Sequence, residues 1–256
     1  AVTGDVSDDL LFGSKDGKDF EQCDNALEKS IDKIAYNGYY FIALSKHDTT
    51  HNAALSYNGI DWSGVIIDSS CNDIIWDKEL KKWIVCSSTK LHESYNGYDW
   101  INKFTSTDTL LSLKKYDNKY YVGGTSSLHK VDINNYSDNS NQIFNDVSLI
   151  EVSKDNILLY SNNTIYKNDL SNNDNDVIFN NINLKTLSSN GKIYVAGGKM
   201  KSDLSINQLP IIYSNDGLKW NYANGTKGDS NLYNKNNNYR AQLNECNDII
   251  WDGNMF

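Results

Sequence analysis

Three features of this 256-residue sequence predict an all-β fold, a six-bladed β-propeller with four-stranded blades. A strand–turn–strand pattern recurs along the chain at similar intervals. A seven-residue turn motif occurs four times. The string Cys-Asn-Asp-Ile-Ile-Trp-Asp appears twice, beginning at Cys71 and at Cys246. With 39% hydrophobic and 12% aromatic residues the composition is that of a globular chain.

The repeated hairpins decide the architecture. Ile34-Ala-Tyr-Asn-Gly-Tyr-Tyr-Phe-Ile-Ala-Leu places an Asn-Gly turn between two β-rich runs. Ile74-Ile-Trp-Asp leads to Lys82-Trp-Ile-Val-Cys. Lys115-Tyr-Asp-Asn-Lys-Tyr-Tyr-Val-Gly-Gly and Lys154-Asp-Asn-Ile-Leu-Leu-Tyr follow, then Ser189-Asn-Gly-Lys-Ile-Tyr-Val-Ala-Gly-Gly and Ile249-Ile-Trp-Asp-Gly-Asn-Met-Phe. Turn residues between β-branched and aromatic runs are the signature of a hairpin. Equivalent points at Ile34, Ile74, Lys114, Val152 and Leu187 are 40, 40, 38 and 35 residues apart, and Ile249 follows after 62. The expected repeats are therefore 34–73, 74–113, 114–151, 152–186, 187–248, and 249–256 joined to 1–33, within one domain of residues 1–256. Joined end to end, the two termini read as one more hairpin, so the last blade is expected to close the ring with strands from both. The runs 134–145 and 172–183 read as polar loops.

The second motif gives the turns. Ser214-Asn-Asp-Gly-Leu-Lys-Trp220 fits Ser-x-Asp-Gly-x-x-Trp, with Ser214, Asp216, Gly217 and Trp220 at its fixed positions. Ser56, Asn58, Gly59 and Trp62 repeat it with Asn for Asp, as do Ser94, Asn96, Gly97 and Trp100. Ser14, Asp16, Gly17 and Phe20 form a version ending in Phe. The acid or amide caps its own turn, Gly takes the positive φ, and the aromatic packs between neighbouring sheets. This pattern resembles the Asp-box, or BNR repeat, of sialidase-like β-propellers. The resemblance implies the scaffold. It does not carry the sialidase activity, because those enzymes grip a carboxylate with three arginines and this chain has one, Arg240. Lys does not replace the planar guanidinium fork in such a grip.

Charge and composition exclude further classes. The formal net charge is −9, which opposes nucleic acid or an anionic membrane as the main partner. No apolar run has the length of a membrane span, and no signal-like segment opens the chain. Ala1 in place of Met reads as a processed protein or a part of a larger chain or assembly. The four cysteines lack zinc spacing and read as buried thiols. His47-Asp-Thr-Thr-His51 has metal-like spacing only on a helix, and here it joins two expected strands. His92 and His129 fall on strands. No Ser-His-Asp pattern or phosphate loop is recognisable, and no cofactor is expected.

Two sets of side chains remain as candidates for binding. Tyr57 and Tyr95 sit at the variable position of their turns, beside Asn58 and Asn96, a pairing of stacking face and amide that suits sugars. The segment 223–243 holds nearly all the extra length of the fifth repeat and places Tyr233, Tyr239 and Arg240 together. Asp32, Asp73, Glu151 and Asp248 precede inner strands, and Asp73 and Asp248 are the candidates for a bound cation. The expected function is a non-catalytic binding propeller, lectin-like or adhesin-like, for a glycan or protein receptor at a cell surface or on a virion. The alternatives are an intracellular protein–protein interaction scaffold in the cytoplasm and a glycoside hydrolase of unknown specificity.

Overall fold

The computed structural model of the chain describes residues 2–3, 11–14, 19, 21–23, 27, 31–46, 48, 50–67, 70–138, 142–144, 146–152, 156–169, 175–179, 182–200, 208–224 and 246–249. Among these residues the secondary structure is all β, without a helix. The chain groups into two compact units, 1–146 and 147–256.

Among the described residues the first unit holds four sheets. β1 (Val2–Thr3), β2 (Leu11–Gly13) and β3 (Glu21–Gln22) make a three-stranded one. The other three have four strands each. They are β4 (Lys33–Tyr36), β5 (Phe41–Leu44), β6 (Ala53–Ser56) and β7 (Ser63–Val65); then β8 (Cys71–Asp77), β9 (Lys82–Ser87), β10 (Lys90–Ser94) and β11 (Ile101–Thr105). The last comprises β12 (Leu110–Tyr116), β13 (Lys119–Gly124), β14 (Ser127–Asp132) and β15 (Gln142–Ile143). Among the described residues the second unit holds two four-stranded sheets. One is β16 (Val147–Val152), β17 (Asn156–Ser161), β18 (Thr164–Asp169) and β19 (Asn175–Phe179). The other is β20 (Ile182–Ser189), β21 (Tyr194–Met200), β22 (Gln208–Ser214) and β23 (Asn221–Asn224). Every sheet is an antiparallel meander in chain order.

These sheets correct two expectations. The described residues complete five four-stranded blades, not six, since the N-terminal sheet has three strands. The segment 250–256, on which the expected closure by both termini rests, lies outside the described residues. The runs 134–145 and 172–183 are not simply loops, because they contain β15 and β19, and 182–183 open β20. Their polar residues are tolerated because the last strand of each meander pairs along one edge only.

Local chemistry sets the hairpins. Asn37 Oδ1 accepts from the backbone N–H of Tyr39 and Tyr40, both at 2.9 Å, and the following Gly38 takes φ +97°. Asp77 Oδ1 does the same for Glu79 and Leu80, and Asn190 Oδ1 for Lys192 and Ile193. Such side-chain caps are why Asn and Asp mark turns.

The alternation of side chains then builds two cores from one strand. On β9, Trp83 and Val85 pack with Ile42, Leu44 and Leu55 of the preceding sheet, while Ile84 and Cys86 pack with Leu110, Leu113 and Val122 of the next. Leu11 and Cys23 join Ala43, Ala54 and Trp62 in the same way. In the second unit Tyr160 and Ile165 pack with Leu184, Ala196 and Ile212. Cys23, Cys71, Cys86 and Cys246 are all buried free thiols.

Candidate functional site

Three of the four Ser-x-(Asn/Asp)-Gly-x-x-Trp turns fall on described residues, and their geometry is nearly identical. The Gly59 N–H donates to Ser56 Oγ at 2.8 Å, as do Gly97 to Ser94 at 2.8 Å and Gly217 to Ser214 at 2.9 Å. Asn58 Oδ1 accepts from the backbone N–H of Ile60 and Asp61, and Asn96 Oδ1 from those of Tyr98 and Asp99. Asp216 Oδ1 takes Leu218 and Lys219. The Lys219 and Leu218 N–H groups hold the Asp216 carboxyl down to about 2. Each Trp indole N–H closes the turn on the glycine carbonyl, at 3.2, 3.0 and 3.3 Å. The glycines take φ of +77°, +79° and +72°, values that side chains with a Cβ rarely adopt. Of the fourth motif, Ser14 is described and half-buried, while Asp16, Gly17 and Phe20 lie outside the described residues.

This frame decides which candidates face solvent. Tyr57 is 67% exposed and Tyr95 64%, so the turns hold both rings outward as expected. Asn58 and Asn96 are engaged differently from the expectation of ligand amides. Besides the two N–H groups, each Oδ1 accepts from its serine hydroxyl at 3.2 Å, and each Nδ2 donates to Asp61 or Asp99 at 2.7 and 2.8 Å. Trp62 is buried, but Trp100 and Trp220 are only half-buried. Tyr233, Tyr239 and Arg240 lie outside the described residues, as does 225–243 of their segment; Tyr222 is half-buried on β23.

The cation candidates are used as ties. Asp73 Oδ2 accepts the Leu113 N–H of the next sheet at 2.9 Å, next to an Asn72 amide that donates to the Leu110 carbonyl. Asp248 Oδ1 accepts from the Thr186 hydroxyl at 3.0 Å and from the Ile249 N–H. Among the described residues no three His, Cys, Asp or Glu side chains come together as a metal site would require.

Structure adds what sequence spacing did not reveal. Tyr98, at the second variable position of its turn, stands beside Tyr57 of the preceding sheet; burial first, then the Tyr57 hydroxyl, raises its pKa. Beneath them Tyr40 lies 5.5 Å from the Tyr57 ring, and its hydroxyl accepts the Trp83 indole N–H at 2.8 Å. Gly97 packs so closely against Tyr40, Ile42 and Leu55 that a Cβ there would meet atoms at 2.8–3.1 Å. Beside Tyr95, buried Lys82 and Glu93 pair at 2.7 Å, and the Tyr136 hydroxyl donates to the same carboxylate at 2.7 Å. Lys82 and Lys103 stand over the Tyr136 ring at 5.2 and 5.8 Å. In the same interface Asp77 accepts from Lys115 at 2.7 Å and from the Tyr120 hydroxyl at 2.9 Å.

A Ser-His-Asp array also forms, contrary to the sequence reading. Ser127 Oγ is 3.0 Å from His129 Nε2, and His129 Nδ1 is 2.7 Å from Asp138 Oδ2. The only sequence signal is the Ser-x-His alternation on β14, which puts both side chains on one face. However, Ser127 donates to Asp108 Oδ2 at 3.0 Å. Burial pushes that carboxyl up, but bonds from Thr125, the Ser126 N–H and Ser127 outweigh it and leave its pKa low. An alkoxide on Ser127 would face this anion, so the array suits a clip and not a nucleophile. Asp138 completes the clip by accepting the Lys130 N–H at 3.2 Å.

No protein-family model matches the sequence, and no curated protein does. Solved structures do resemble it. The Neurospora crassa Pan2 WD40 domain superposes with a TM-score of 0.61 at 11% identity, over 76% of this chain and 65% of that one. The AfRom2 CNH domain gives 0.57 at 9%, over 77% and 72%. PorZ, a surface component of the type-IX secretion system of Porphyromonas gingivalis, gives 0.57 at 12%, over 85% of this chain and 31% of PorZ. The chain thus spans about two thirds or less of several proteins it resembles. These likenesses, with the consecutive antiparallel meanders, show the β-propeller fold.

Proposed function

We propose that the protein is a non-catalytic binding propeller that recognises a glycan or a protein surface through its turns. The carrying observation is the division of labour within each turn. Serine, amide, glycine and tryptophan satisfy one another, and Tyr57 and Tyr95 are left facing water. Exposed tyrosine on a rigid frame supplies contact area at low entropic cost. The proposal includes the Asp-box identity of the turns. It also counts the three-stranded sheet as a sixth blade. It places the protein at a cell surface or on a virion. An intracellular protein-interaction scaffold is the second reading, favoured by the likeness to WD40 and CNH domains.

A glycan array probed with the wild-type protein, Tyr57→Ala and Tyr95→Ala tests the proposal. Defined glycans bound by the wild type and lost in either variant, with unchanged melting, support the glycan form. Glycan binding that survives both substitutions would refute the assignment to these turns.

A further inference from the structure

We infer that the binding element is a composite of two sheets, Tyr57 and Tyr98 over Tyr40, and that it takes a lysine- or arginine-bearing segment of a partner protein. This deepens the proposed function and rests on it.

The first support is geometric. Tyr57 comes from the turn after β6 and Tyr98 from the turn after β10, 41 positions apart, yet the Tyr57 ring lies 5.5 Å from Tyr40, against which Gly97, the neighbour of Tyr98, is seated. The close seat of Gly97 against Tyr40, Ile42 and Leu55 fixes the second turn on the first sheet. The rings are thus pre-positioned, although Tyr57 and Tyr98 remain 67% and 45% exposed.

Charge supplies the second support. The turns 37–40, 56–62 and 94–100 carry two carboxylates, Asp61 and Asp99, and no cation. Asn58 and Asn96 fix these carboxylates through their amides, and both acids stay exposed. Aromatic faces beside negative charge attract ammonium and guanidinium groups. The neighbouring interface of the same unit shows this pairing satisfied internally, where Lys82 and Lys103 stand over Tyr136 beside Glu93. At Tyr57 and Tyr98 the cation would come from the partner. A neutral sugar would use the ring faces but not the two fixed charges.

The test uses hexa-arginine and hexa-lysine peptides as probes at about 0.15 M salt, where long-range attraction to an acidic protein is largely screened. Titration calorimetry compares the wild type with Tyr57→Leu/Tyr98→Leu, which keeps apolar volume and removes the aromatic faces. Thermal melting checks that the variant is folded. Loss of two cation–aromatic contacts should weaken hexa-arginine binding by about tenfold. Asp61→Asn/Asp99→Asn should weaken it as well and flatten its salt dependence. Affinity within about twofold of wild type in the folded Leu variant would overturn the inference, because binding would then be diffuse attraction to net charge. Loss confined to Tyr95→Ala would also overturn it, while leaving the wider binding proposal standing. Binding of neutral glycans with no response to either peptide would do the same in favour of sugars.

Discussion

The turns at 94–100 and 214–220 share a backbone and differ in everything they display. Both close through a serine hydroxyl, a carboxyl or amide oxygen on two N–H groups, a left-handed glycine and an indole N–H. The first shows Tyr95, Tyr98 and Asp99 to solvent, and the second shows Asn215, Leu218 and Lys219. The charge code is also inverted. Where the cap is Asn96, its amide donates to Asp99; where the cap is Asp216, the residue three positions on is Lys219. Neither turn sets one carboxylate against another. The frame and the message are therefore carried by different positions, and the frame tolerates a change of message.

The glycines and tryptophans of the turns offer the largest ways to break the comparison. Gly97→Ala would force a Cβ onto Leu55, Tyr40 and Ile42 while holding a positive φ, and should cost about 3 kcal/mol or more in chemical denaturation. Gly59→Ala has the same φ problem but only Phe41 nearby at 3.6 Å, and should cost about 1–2 kcal/mol. Equal losses would mean that the seat against the neighbouring sheet contributes nothing. Next come the tryptophans. Trp62→Ala removes a buried ring and should cost about 3–5 kcal/mol, whereas half-buried Trp220 should cost clearly less.

Acid separates the turn from the buried network. Burial pushes the Asp77 carboxyl up, but the Lys115, Leu80 and Tyr120 bonds outweigh it and leave it below the usual range; Glu93 behaves alike through Lys82, Tyr136 and Lys103. With folded values depressed, the stability they provide is complete above the ordinary carboxylate pKa of about 4. It is lost as pH falls through their lower folded values. Melting temperature should drop over that window, and Glu93→Gln should flatten the drop. A smaller effect of the same sign belongs to Asp216, whose contribution fades between about 4 and its folded value of about 2. Asp216→Asn should remove that fraction of the pH dependence, together with the contribution its charge makes at neutral pH. The smallest effect is at Tyr57→Ala, expected to change stability by less than about 1 kcal/mol because the ring faces water.

How far the sequence could be read follows from the range of each interaction. The hairpins around Asn37, Asp77 and Asn190 were legible because the cap lies within three residues of the groups it satisfies. β15 and β19 were not, since they are short strands inside Asn- and Asp-rich runs on the far edge of their meanders, defined by a partner and not by their own pattern. Tyr57 and Tyr95 were legible as outward residues from the motif. The use of Asn58 and Asn96 within the turn was not, because it depends on which of several acceptors the amide reaches. Tyr98 against Tyr57 and Asp73 against Leu113 are contacts across about 40 positions, created by packing of one sheet on the next, and His129 against Asp108 spans 21 positions within one sheet and the turn that leads into it.

β9 has one consequence for how the chain is made. With Trp83 and Val85 on one side and Ile84 and Cys86 on the other, its sheet is apolar on both faces. Such a slab emerging from a ribosome covers its first face at once against the sheet already made, and leaves the second bare until the next repeat has been synthesised. At about 5–20 residues per second that wait lasts a few seconds per repeat. Each newly finished sheet is in turn the sticky end of the nascent chain. Pausing within a repeat, or truncation inside one, would expose a flat apolar surface with the pleat and spacing of its missing neighbour, the shape most prone to pair with a second nascent chain of the same kind.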